Sequence, residues 1–135
     1  MIDAIEIELA TAADFAARGQ FQDSFRNLER AHILSQSWTW QHVRVHYRML
    51  RWAVERNDSG EMLGQVVRIV GAATKTAIGL VPPGNTGGSN VSPFRAMPVP
   101  EDLKVLLCSP SPRRRAAITA GALAILAISL ALFAS

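Results

Sequence analysis

Apolar residues recur at steps of three and four through most of the first 80 positions, the spacing that one face of an α-helix requires. Ile2, Ile5, Leu9, Ala12, Ala13 and Ala16 keep that step and predict a first helix closing near Gly19, because glycine accepts the left-handed backbone that ends helices. A second helix is expected over Phe21–Ser35, with Phe21, Phe25, Leu28, Glu29 and His32 in one arc and Asp23, Arg26, Asn27 and Arg30 opposite. A third, over about residues 38–56, carries a polar stripe of Arg44, Arg48, Arg51 and Glu55. Its other face is His42, His46, Met49 and Ala53. Asp58 and Glu61 then form a capping pair for a fourth helix, Asp58 closing its free N–H groups while Glu61 reaches back. Met62, Val66, Ile69, Val70 and Ala73 supply that helix's apolar face, and it is expected to end around Gly79, before Pro82 and Pro83.

The pattern breaks at residues 82–100, where glycine and proline are too frequent for regular structure. Val91, Phe94, Met97, Val99 and Leu103 nevertheless recur as apolar anchors, which suggests a belt or lid laid across the helical body. Pro100, Glu101 and Asp102 restart a short helix, with proline in its first turn and acids where the helix dipole favours them. Residues 116–134 are 19 positions without a charge, just short of a bilayer core at about 1.5 Å per residue. Arg113, Arg114 and Arg115 precede them, and such clusters stay on the cytoplasmic side. The expected organisation is a helical body (1–81), a Gly/Pro-rich loop (82–100), a short helix and linker (101–112), and a basic flank with a single-pass anchor in the inner membrane (113–135). The body would face the cytoplasm.

Charge and composition narrow the function classes. The chain has a formal charge of +3, but residues 1–112 hold eleven Lys and Arg against eleven Asp and Glu, so the excess is the arginine triplet. A basic groove for nucleic acid is therefore not expected. Cys108 stands alone and excludes an intrachain disulfide. Asp3, Glu6 and Glu8 lie where a secretory leader would be basic.

All three histidines fall within 15 positions of one another, His32, His42 and His46. A hairpin turning near Ser37 would set His32 level with His42 and Glu29 level with His46. Glu-x-x-His and His-x-x-x-His each put two ligands on one helix face, as metal sites in helical bundles do. Glu29, His32, His42 and His46 are thus candidate metal ligands, and three nitrogens with one oxygen suit zinc or a single iron ion better than a di-iron centre. The loop Asn85, Thr86, Gly87, Gly88, Ser89 and Asn90 is a candidate lid or anion nest, although it lacks the Gly-Lys-Ser/Thr of a phosphate-binding loop. Arg44, Arg48 and Arg51 offer a candidate partner face. Trp38 and Trp52 are expected to pack, and Trp40 and Tyr47 to lie at a partner or membrane surface. No Ser-His-Asp or Cys-His arrangement is visible.

The spacing of Gly19, Phe21, Ser24, Leu28 and Ala31 resembles half of a tetratricopeptide repeat, which implies helical-hairpin stacking and nothing further. Three other stretches, Ala31 to Gln36, His42 to Leu50 and Gly84 to Val91, resemble a family of small bacterial proteins classed as a domain of unknown function, across roughly residues 15–105. The resemblance implies no activity and no catalytic residue. The expected fold is all-α: a four-helix hairpin-stacked body, an extended belt and one C-terminal transmembrane helix. The leading expected function is a membrane-anchored accessory protein binding a metal ion and supporting a membrane or redox partner. A metal-free helical adaptor that docks a membrane protein is the alternative, and an oxygenase-type metalloenzyme a third.

Overall fold

A computed structural model describes residues 1–75 and 81–108. Five helices and no strand occur among the described residues: α1 (Ile2–Ala17), α2 (Phe21–Ser35), α3 (Thr39–Arg56), α4 (Ser59–Lys75) and α5 (Glu101–Cys108). The expected membrane segment, residues 116–134, lies outside the described residues. No described helix is long and apolar enough to cross a membrane.

The helix ends follow from their capping residues. Gly19, at φ +75°, closes α1 with paired bonds from its own N–H to Ala16 and from Gln20 to Phe15, the double closure that a left-handed residue allows. Asn57, at φ 54°, ends α3 in the same way through Ala53 and Val54. Asp58 caps α4, its carboxylate accepting the Glu61 N–H at 2.9 Å. The reciprocal half of the expected capping pair is not made, because the Glu61 carboxylate turns inward.

α1 packs on α2, α2 on α3 and α3 on α4, so consecutive helices are neighbours, and α5 returns to touch α2. Ile5, Leu9, Ala12, Leu28, Ala31, Leu34, Val45, Met49 and Leu103 form a single buried cluster. Polar ties reinforce it at the rim. Arg44 of α3 holds both carboxylate oxygens of Glu6 on α1. Arg30 of α2 joins Glu8 at 2.9 Å and Asp102 of α5 at 2.6 Å.

α4 departs from its expected orientation. Glu61, Gln65 and Ala72 are buried, while Val66 and Val70 are 51% and 65% exposed. The amphipathic rule points the apolar face inward because it assumes an apolar interior. Here the interior beneath α4 is polar, so its polar stripe turns in.

Candidate metal centre

The turn between α2 and α3 is tight. The Trp38 N–H bonds to the Ser35 carbonyl at 2.8 Å, and the buried Ser35 hydroxyl donates to the His32 carbonyl at 2.9 Å. That reversal brings the two helices together at their histidines. His32 sits between His42 and His46, with ring centroids 4.6 Å from each. All three rings are buried, and their donor atoms lie within 4.8 Å of one another.

The Nε2 atoms are the ones that meet. His32 Nε2 is 2.7 Å from His42 Nε2 and 3.2 Å from His46 Nε2. Hydrogen bonds on the far side of two rings fix what those atoms carry. His32 Nδ1 lies 2.8 Å from the main-chain oxygen of Asn85, which can only accept, so Nδ1 holds the hydrogen. His46 Nδ1 lies 2.7 Å from Gln65 Oε1. The Gln65 amide cannot be reversed, because its nitrogen donates to Glu61 Oε1 at 2.5 Å and to the Gly87 carbonyl at 2.8 Å. His46 Nδ1 therefore also carries a hydrogen. In their neutral forms, His32 and His46 turn bare Nε2 lone pairs toward each other. A hydrogen on His42 can serve one of them and leaves the other opposed.

Electrostatics keeps the rings neutral. Burial, with the neighbouring histidines adding to it, pushes His32 well below its ordinary pKa. Burial and then His46 take His42 to about 3. Burial takes His46 to about 4, against the Gln65 bond. Proton competition is therefore weak at neutral pH, which is the condition imidazole ligation needs. Ligands about 2.0–2.1 Å from a zinc ion at tetrahedral angles stand about 3.3 Å apart, and the 2.7 and 3.2 Å that His32 Nε2 keeps from His42 and His46 lie close below that value. The Nδ1–H bonds to Asn85 and Gln65 are the outer-shell contacts that orient metal-bound imidazoles. Three close, buried histidines can hold a metal ion here.

The loop completes the site from the opposite side. The Asn85 side chain donates to the carbonyls of Ser92 and Arg95, at 2.9 and 2.7 Å, and so folds the loop on itself. Gln36 ties the loop to the α2–α3 turn through Pro82, Gly84 and Asn85. Gly87, at φ +82°, lies so close to His32 that a Cβ there would stand 2.7 Å from the ring. Ser89 N–H donates to the second Glu61 oxygen at 2.9 Å. Arg68 of α4 holds the carbonyls of Gly88 and Val91.

Among the other residues singled out from the sequence, Glu29 lies outside the converging group. It is half-buried beside Thr86, and burial raises its pKa despite the nearby hydroxyl. Gln65 of α4 takes the place opposite His46 that the hairpin pattern had given to Glu29. Thr86 is half-buried, Gly88 is buried, and Ser89 and Asn90 are exposed. In the arginine stripe, Arg44 is engaged by Glu6 and Arg51 by Glu55 at 3.2 Å, while Arg48 is exposed. Trp52 packs on Phe25 at 4.6 Å, and Trp40 and Tyr47 are exposed. Phe94, expected to anchor the belt, is 74% exposed on the rim of a cavity. That cavity, of about 800 Å³, is lined by all three histidines and by Leu63, Val67 and Arg68. Gln65 and Glu61 were missed as site residues, although they share one helix face at a four-residue step, and Asn85 was singled out only as part of the candidate lid or anion nest.

A model of a family described as a protein of unknown function, DUF3703, matches residues 1–107. No curated protein and no solved structure matches the chain.

Proposed function

The chain belongs to the DUF3703 family, and we propose that this member is a membrane-anchored accessory protein. Its helical body binds one divalent transition-metal ion, zinc or ferrous iron, on Nε2 of His32, His42 and His46. The observation that carries this reading is the meeting of unprotonated nitrogens on three buried rings. Buried polar atoms require a partner, and lone pairs 3.2 Å apart with both Nδ1 hydrogens already committed have none between themselves. A cation between them removes the conflict. Imidazole suits zinc and iron alike, and three protein nitrogens leave a further coordination position directed at the cavity.

The anchoring half of the reading rests on sequence: the uncharged run 116–134 behind Arg113, Arg114 and Arg115. A body held at a bilayer by that run is suited to keep a metal ion near a membrane redox partner or to deliver it there.

The test is metal analysis of the full chain purified in mild detergent, beside a His42→Ala/His46→Ala variant. The expected result is one metal ion per chain in the native protein and none in the variant. Equal metal in both, at whatever level, removes the triad as the binding site.

A further inference from the structure

The side of the histidine triad that faces the cavity has a chemistry of its own. Three neutral imidazoles bring no negative charge to a divalent ion. Glu61, a carboxylate of the supporting shell, offsets one of its two charges from a distance, and its oxygens are occupied by the Gln65 amide and the Ser89 N–H. Arg68 lines the same cavity and adds a second positive charge. It is oriented by the Gly88 and Val91 carbonyls rather than by a carboxylate. Apart from Asn85 and Ser89 the rest of the wall is apolar, with Leu63 and Val67 on the α4 side and Phe94 on the loop side. A pocket of this kind, with a few polar groups converging at one end of an apolar cavity, fixes a ligand's head and accepts its body.

We propose that the open position of the triad takes a small monoanion with an apolar body, its anionic head on the metal near Arg68 and its body along Leu63, Val67 and Phe94. The proposal rests on the metal-binding reading above. It commits to an organic acid rather than to water alone or an inorganic anion, because nothing polar on the Leu63, Val67 and Phe94 wall would reward a hydrated ligand. A carboxylate bearing an aliphatic chain is the simplest occupant.

The test uses the full chain loaded with Co²⁺, whose visible absorption reports coordination in place of zinc. Acetate, hexanoate and 1-hexanol are titrated into separate samples of wild type and of Leu63→Gln/Val67→Gln. Each buried methylene is worth roughly fourfold in affinity, so hexanoate is expected to shift the cobalt bands at a concentration at least tenfold below that of acetate. Hexanol should leave the bands unchanged. The double variant should keep its cobalt bands and lose the preference for the longer acid. Equal response to acetate and hexanoate in wild type would show a bare anion site and overturn the proposal. So would a hexanol response matching that of hexanoate, or bands indifferent to both acids. Absence of cobalt bands in wild type would instead defeat the metal reading, and this one with it.

Discussion

Acid should unfold the metal-free protein through its histidines, and the size of the effect follows from their burial. His42 titrates at about 3 and His46 at about 4 in the fold, against an ordinary 6.5, and His32 is also far below that value. The unfolded chain takes up these protons near pH 6.5 and the folded one does not. Stability is therefore complete above that pH and is lost as the pH falls toward the folded-state values. Each histidine removes about 1.4 kcal/mol per pH unit in this window. Three together remove about 5 kcal/mol between about pH 6.5, where the unfolded rings are half-protonated, and pH 5, comparable with the whole stability of a small domain, about 5–15 kcal/mol. Glu29 works the other way, since burial raises its pKa and its folded form gains protons as the pH falls. A Glu29→Gln background removes that opposing effect. The assay is urea unfolding followed by circular dichroism on chelator-treated full chain, at several values from about pH 7.5 to about pH 5. The slope of stability against pH should correspond to between two and three protons. Saturating zinc should move the loss to lower pH, because only the folded site binds the ion. A stability that stays flat across this range would refute the claim that the rings are buried and neutral.

Three other outcomes test separate parts of the site. Gln65→Leu removes the acceptor of His46 Nδ1–H, and zinc affinity should fall about 10- to 100-fold in competition with a chromophoric chelator. Gly87→Ala places a methyl 2.7 Å from the His32 ring on a backbone at φ +82°. It should cost about 2–4 kcal/mol in thermal unfolding and weaken zinc binding in the protein that remains folded. Asp58→Ala deletes the α4 cap and should lower stability by about 1 kcal/mol, with zinc affinity unchanged.

The helices and the histidine cluster were legible in the sequence because both depend on local spacing. Gly19 marks the end of α1 through a backbone conformation that few residues accept, and Asp58 marks the start of α4 through its side-chain cap. The face of α3 bearing His42, His46, Met49 and Ala53 is buried as its four- and three-residue steps imply. What failed to show were features that require two distant segments to meet. α4 reads as an ordinary amphipathic helix, and only the position of the triad beneath it explains why Gln65 is fully buried and Val70 is not. Glu29 looked like a fourth ligand because a hairpin drawn in two dimensions sets it opposite His46. The helices instead place His32 against both α3 histidines, and the carboxylate falls outside the group. Nor does any local pattern in residues 82–100 say that a main-chain oxygen at 85 will meet a ring from position 32.

That oxygen carries a consequence for how the site can vary. The Asn85 carbonyl receives both the His32 ring hydrogen and, at 3.1 Å, the Gln36 amide, so both of its lone pairs are occupied. Because it belongs to the peptide backbone, no replacement of residue 85 can delete the acceptor itself, and a change there would act only by letting the loop drift. A keystone of the centre thus cannot be deleted by substitution at its own position, and its influence would surface instead at Gln36 and through the loop fold that the Asn85 side chain holds together.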